Sequence, residues 1–197
     1  MAMWKEVFIM ADSLNAANVK PGSEAVVTGF VQFNSLAEKV VSRIGMDHTP
    51  AYTITLSDPK VVSGDETLVK YLENHFYHSA IHDDTRATYI SKAPYAPTIY
   101  GANSDAPVTG LPANEVLQVD GKPAALAVNQ QVYVLVRCFK PKNFNNLGLA
   151  LEAVKIQNLA HPLLYTGFGA AEASDFGTKT NVFDNANVDF DGFPKQD

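Results

Sequence analysis

Residues 132–139 read Val-Tyr-Val-Leu-Val-Arg-Cys-Phe, and side chains along a strand alternate between the two faces of a sheet. Val132, Val134, Val136 and Cys138 therefore share a face that is small and apolar throughout, which has to be core. The opposite face carries Tyr133, Leu135, Arg137 and Phe139. A solvent face ordinarily holds Thr, Lys, Glu or Ser, whereas aromatics flanking a guanidinium make a flat platform with a cation set into it. The chain must build a sheet around this strand and must also occupy the second face. Either another part of the chain or a second copy covers it, or a planar ligand stacks on it.

The rest of the body reads as strands too. Ala25–Phe33 is β-branched and aromatic, with Gly29 placed for a bulge or a close backbone approach. Tyr52–Leu56 alternates and stops at Ser57-Asp58-Pro59. Between Asp65 and Ser79 the period changes: Leu68, Leu72, Phe76 and Ser79, with Tyr71 and His75, keep helical spacing, and Ser63 or Asp65 can cap the start. Residues 92–112 hold Pro94, Pro97, Gly101, Pro107, Gly110 and Pro112 and read as a long irregular loop. Val116–Val119 and Ala124–Val128 are joined through Asp120-Gly121, a hairpin signal. Along Leu147–Leu159 the apolar parity switches, Leu149 and Leu151 against Val154 and Ile156, which predicts a bulge near Glu152-Ala153. Short strands with turn signals and one helix predict a mainly β fold: a single five-stranded barrel of the OB type with one inserted α-helix, over residues 1–170.

After Phe139 the chain turns through Lys140-Pro141-Lys142-Asn143-Phe144 without an acid, so Arg137, Lys140 and Lys142 place three positive charges in a chain of net charge −6. Base stacking on exposed rings contributes about 1–3 kcal/mol per base whatever the sequence, and neighbouring cations track phosphates. This local charge reversal is the electrostatic footprint of a nucleic-acid groove, while the overall balance excludes a wholly basic, histone-like binder. Residues 171–197 behave differently. From Glu172 onward there are six acids against two bases, and Phe183, Phe190 and Phe193 stand beside Asp184, Asp189 and Asp191. No period of 2 or 3.6 is sustained, so the segment is predicted to be a disordered acidic tail whose aromatics serve a partner. A single cysteine rules out an intrachain disulfide framework and a cysteine-based zinc cluster, and the apolar parity of Cys138 makes it a buried hydrophobe. No apolar run approaches the roughly 18 residues that would span a bilayer. The start, Met1 to Glu6, lacks the layout of a secretory signal, so an intracellular, membrane-free protein is expected.

A rival reading comes from His75, His78 and His82, followed by Asp83 and Asp84. Positions i, i+3 and i+7 share a helical face, on which three imidazoles could converge on zinc or iron in a metal-dependent enzyme. Against it, His75 can pack beside Leu72 and Phe76, with His78 and His82 solvated near the helix end, where the helix dipole favours them. No phosphate-cradling Gly-rich loop and no Ser-His-Asp set accompanies the histidines, so neither catalysis nor a cofactor is expected. A third reading takes the Tyr133/Phe139 face as the interface of a structural, oligomerising β-protein.

The run Asn129–Lys142, the Asn-rich turn, and Gly148–Ile156 together resemble the last strand pair of phage single-stranded DNA-binding proteins of the podovirus type. Tyr52–Leu56 with the helix after it, Phe30–Phe33, and the tail from Val182 to Phe193 are similar to further parts of those proteins. The resemblance implies an OB fold and sequence-independent binding of single-stranded DNA in phage replication, recombination or repair, in the cytoplasm of an infected bacterium. It makes Phe139 the principal stacking residue, with Tyr133, Arg137, Lys140 and Lys142 around it. Phe144 adds a ring in the turn, and Lys92, Tyr95 and Tyr100 would close over the strand from the Pro-rich loop. It further implies that the tail competes with DNA for the groove and recruits a polymerase, helicase or primase, and it leaves a homodimer open.

Overall fold

The computed structural model describes residues 13–41, 49–103, 106–107, 110–156 and 164–165. In chain order the elements are β1 (Glu24–Val40), β2 (Ala51–Gly64), α1 (Glu66–Asn74), β3 (Tyr77–Ser79), β4 (Asp84–Ser91), β5 (Thr98–Asn103), β6 (Ala106–Pro107), β7 (Leu111–Pro112), α2 (Ala113–Val116), β8 (Gln118–Val119), β9 (Lys122–Pro123), β10 (Ala125–Leu126), β11 (Gln131–Phe139), β12 (Gly148–Ile156) and β13 (Leu164–Tyr165). The main sheet runs β3-β4-β2-β1-β11-β12-β5-β6, with β7 also on β5. Its long strands pair antiparallel, and β5 joins β12 in parallel.

The core lies on one face of this sheet. Val132, Val134, Val136 and Cys138 are all fully buried, as their parity predicts, and they pack with Val27, Val31, Ile54 and Leu56 of β1 and β2. Leu68 and Leu72 of α1 close that side, each such side chain contributing about 1.5–3 kcal/mol on burial. Asn34 is buried without penalty because its amide donates to the Leu126 carbonyl at 2.8 Å and its Oδ1 accepts the Leu126 N–H at 2.9 Å.

Bulges bend the sheet. Opposite Thr28 and Phe30, two residues apart, β2 places Lys60 and Ser57, three apart, so β2 carries one extra residue there. Asp58 takes φ of 49° in that bulge, and Pro59, which has no N–H to donate, fits beside it. Ser57-Asp58-Pro59 thus bends β2 instead of ending it. Gly29 sits at the same place because a Cβ would stand 2.9 Å from the Ser57 carbonyl oxygen. In β12, Leu135 and Val136 face Ala153 and Leu151, which leaves Glu152 as the extra residue of the predicted bulge. The Asp120-Gly121 turn joins β8 to β9 with both residues at positive φ, 51° and 71°.

The fold is mainly β, as predicted, and the main sheet is not closed among the described residues. Residues of β12 come within 8 Å of β4, Cα to Cα, but no ladder joins the two strands among the described residues. β5 pairs in parallel with the edge of β12 from Ala153 to Ile156. β5 also corrects the reading of residues 92–112 as an irregular loop: Thr98-Ile99-Tyr100 is a β-branched and aromatic run between prolines, and Ile99 is wholly buried. Val116 belongs to the short α2, not to a strand.

The helix ends earlier than its spacing predicts. α1 stops at Asn74, the His75 N–H closes on the Leu72 carbonyl at 3.0 Å, and the chain becomes β3 at Tyr77. Asp65 makes no side-chain cap. Its carboxylate instead accepts the Glu24 N–H at 2.9 Å, while its own N–H donates to the Glu24 carbonyl at 2.9 Å, tying the helix entry to the start of β1. Among the described residues no helix is long and apolar enough to cross a membrane. The predicted acidic tail, residues 171–197, and the continuation of β12 to Leu159 lie outside the described residues.

Candidate nucleic-acid interface

Residues directly opposite in a ladder share a face, so the register builds the outer surface of the sheet row by row. One row runs Lys60–Thr28–Tyr133–Lys155–Tyr100 across β2, β1, β11, β12 and β5. Tyr133 is thereby flanked, one strand and two strands away, by lysines. The next row is Tyr77–Arg86–Ser57–Phe30–Gln131, across β3, β4, β2, β1 and β11. Toward the other end of β11, Leu135 stands opposite Val26 and Ala153, Arg137 opposite Glu24 and Ala150, and Phe139 opposite Gly148.

The face is not uniformly open, which corrects the flat platform expected of the odd-numbered residues. Tyr133 and Leu135 are only 8% and 9% exposed, in a small second cluster with Val26 and Ala153, against which Tyr100 packs. The chain itself supplies part of the cover, in the form of β5. Burial raises the Tyr133 and Tyr100 phenols above their usual range, so both remain neutral hydrogen-bonding groups. Phe139 is 42% exposed. Its ring lies over Gly148: a Cβ there would stand 2.7 Å from Cζ. The far end of the ring thus lies against Gly148, and the side chain as a whole stays well exposed.

Arg137 is paired. Its Nε donates to Glu24 Oε1 at 2.7 Å, and a terminal nitrogen donates to the same oxygen. Arg86 likewise makes two bonds to Asp84, at 2.7 and 3.0 Å, which hold the Asp84 carboxyl below its usual range. The cations exposed beyond β11 are Lys140 and Lys142, with Phe144 beside them in the β11–β12 loop. Asn15 anchors that loop, donating to the Asn145 carbonyl at 3.1 Å and accepting the Leu147 N–H at 2.7 Å.

Of the residues expected to close over the strand, only Tyr100 reaches Tyr133. Lys92 follows Ser91, the partner of Tyr52, and its carbonyl accepts from Lys39 at 3.3 Å, which puts it at the opposite end of β1 from Phe139. Tyr95 is exposed in the segment between β4 and β5. The tail positions Phe183, Asp184, Asp189, Phe190, Asp191 and Phe193 lie outside the described residues.

The three histidines do not share a helical face, since the helix ends at Asn74, before the first of them. His75 lies on Tyr71, ring centroids 3.9 Å apart, with Nδ1 2.7 Å from the Tyr71 carbonyl oxygen. His78 stands in β3, 3.3 Å from Asp83, and His82 is in the β3–β4 turn. No group of metal-ligating side chains is assembled among the described residues.

The sequence reading passed over Lys60, Lys155, Phe30 and Phe33 as site residues. Phe30 and Phe33 are 39% and 55% exposed. Three residues apart, they would face opposite sides of a regular strand. Gln32 keeps the outward parity of Thr28 and Phe30, so nothing local marks the bulge that turns Phe33 outward; it shows only in the register with β2.

No protein-family profile matches the chain, and no curated protein matches it. Among solved structures it is similar to the single-stranded DNA-binding protein from bacteriophage Enc34. That likeness has 12% identity over 80% of this chain and 88% of the other, with a TM-score of 0.37. The C-terminally truncated form of that protein matches at 12% identity, 72% of this chain, 85% of the other and a TM-score of 0.37. Its complex with single-stranded DNA matches at 11% identity, 72% of this chain, 86% of the other and a TM-score of 0.37.

Proposed function

We propose that the chain binds single-stranded DNA without sequence preference, stacking bases on Phe139 and Phe144 while Lys140, Lys142 and Arg137 neutralise phosphates. The observation that carries this reading is the end of β11, where an exposed ring lies on Gly148 beside a loop with two exposed lysines, a further exposed ring and no acid. Exposed rings accept any base, and lysines on flexible stems follow a backbone without reading its sequence. Tyr133 and Tyr100 act beneath this surface as its floor, Tyr95 at its margin, and Lys92 from the far end of β1. The bonds that hold Arg137 on Glu24 pass to phosphate when the strand arrives.

The fold is read as a partly open barrel of the OB type made by β1, β2, β4, β11 and β12, with α1 inserted before β4. In such barrels the loop joining the last two strands contributes to oligonucleotide binding, and here that loop carries Lys140, Lys142 and Phe144. The role envisaged is in phage DNA replication, recombination or repair. Residues 171–197 act as an acidic competitor for the same cations and, through Phe183, Phe190 and Phe193, as a docking segment for a replication enzyme. A tethered competitor needs little intrinsic affinity, because its local concentration is of order mM. Deleting residues 172–197 is therefore expected to tighten DNA binding, and unchanged or weaker binding would count against competition.

The deciding measurement is a titration with fluorescent oligo(dT) at two salt concentrations, with duplex DNA as control. With about four phosphates neutralised, log affinity should fall against log salt with a slope near −3. Binding that ignores salt, or that prefers duplex, overturns the reading.

A further inference from the structure

We infer that Phe30 and Phe33 form a second base-stacking station, at the other end of the outer face from Phe139, so that one bound single strand crosses the sheet between the two. The inference rests on the single-strand reading above and extends it to a path.

The pair reaches one face through a bulge. Val31 and Phe33 of β1, two apart, face Leu56 and Thr55 of β2, one apart, so β1 carries the extra residue, Gln32. Phe30 and Phe33 consequently stand opposite Ser57 and Thr55, two apart on β2 and on the same face, while Val31 and Leu56 go wholly into the core. Gln32 is fixed by bonds from its amide to Ser57 Oγ at 2.9 Å and Asn129 Oδ1 at 3.2 Å. Two rings that regular pairing would separate are thus held out in solvent on one surface.

Their neighbours suit a nucleotide better than a second copy of the chain. The positions around them are Ser57, Gln131, Thr55 and Thr88, and the Thr88 hydroxyl bonds to those of Thr55 at 2.9 Å and Tyr77 at 3.0 Å. An interface between permanent partners is continuous and apolar at its centre. Rings set among hydroxyls and amides, with Tyr77 and Ile90 the other exposed apolar side chains on this part of the face, leave π-faces for bases and polar groups for the sugar-phosphate.

The two stations also belong to one surface. Phe30 stands opposite Gln131 at the start of β11 and Phe139 is at its end, eight residues on, roughly 26 Å at strand spacing. Between them lies the row in which Lys60 and Lys155 flank Thr28 and Tyr133. The path is aromatic at both ends and cationic in the middle, and its length falls within the span of about 4–16 nucleotides that one such domain covers.

The test uses the full chain with two exchanges, Phe30→Ala with Phe33→Ala and, separately, Phe30→Leu with Phe33→Leu, beside Phe139→Ala. Affinity is measured for dT4 and dT16. Both pairs of exchanges are expected to weaken dT16 at least tenfold and dT4 less than threefold. The leucine pair keeps the apolar bulk, so a loss there is a loss of stacking and not of folding. If Phe139→Ala weakens dT16 while neither pair does, the second station is wrong and the single-strand reading stands. If none of the three changes dT16 binding, both fail. If the pairs leave DNA affinity unchanged but convert a dimer to a monomer in sedimentation, the rings belong to an interface between copies and the inference is overturned.

Discussion

The two faces of β11 are made by one stretch of eight residues and meet opposite fates. On the inner face Val132, Val134, Val136 and Cys138 are sealed to the last atom. The outer face grades from nearly closed at Tyr133 and Leu135, through a half-buried ion pair at Arg137, to open at Phe139. Alternation alone decides which side chains share a face. What then happens to a face depends on what the rest of the chain lays upon it. α1 covers the inner side, and among the described residues β5 reaches the outer side as far as Tyr133.

The sharpest break between the faces should come from Val134→Ala. It removes two buried carbons and leaves a cavity, so it is expected to cost about 2–3 kcal/mol in chemical denaturation while the folded protein keeps its oligo(dT) affinity. Cys138 reports on the same face. Burial raises its thiol above the ordinary value. An unfolded chain therefore ionises first as pH climbs, so the stability present below the unfolded pKa declines as pH rises toward the folded one. Iodoacetamide should label Cys138 only at the rate of unfolding, and rapid labelling of native protein would contradict the sealed face. Next in size, Phe139→Ala should show the reverse pattern: binding weaker by about 1–2 kcal/mol with an unchanged denaturation midpoint.

How far the sequence led follows the same division. The inner parity of β11, the Glu152 bulge and the Asp120-Gly121 turn were all legible, because each depends on neighbours a few residues away. The end of α1 was not. Phe76 and Ser79 continue the helical spacing, but pairing of Tyr77–Ser79 with β4 competes for the same residues and wins. β5 was hidden by flanking prolines, since a parallel partner far along the chain leaves no local mark. The pairing of Arg137 with Glu24 joins residues 113 apart and could not be anticipated from Arg137 itself. Of the positions expected to bind, Phe139, Lys140, Lys142 and Phe144 lie together at the end of β11, whereas Tyr133 is covered by Tyr100 and Lys92 stands at the far end of β1; the shared face of Phe30 and Phe33 shows only in the register.

A smaller effect tests how the open end is built. Gly148→Ala puts a methyl group where the Phe139 ring lies, and the ring must swing away. We expect a loss of about 1 kcal/mol in oligo(dT) binding, and no added loss when Gly148→Ala is combined with Phe139→Ala, because both act through one ring. Additive losses would mean that Gly148 contributes by itself.

The smallest expected effect concerns the half-buried middle. Glu24 and Arg137 are 38% and 24% exposed at their side chains, so the pair contributes at most about 1 kcal/mol to folding. Glu24→Gln should leave the denaturation midpoint nearly unchanged and release a guanidinium beside the path of the DNA. If Arg137 exchanges a carboxylate for a phosphate on binding, the free protein no longer has to give up that ion pair. Affinity should then rise roughly two- to threefold at low salt, and the gain should shrink at high salt, where the ion pair of the free protein is screened in any case. An unchanged affinity would place Arg137 outside the set of phosphate contacts. A loss of affinity would instead make Glu24 the residue that positions the guanidinium, and the outer face of β11 would be preassembled at Arg137 as firmly as its inner face is packed.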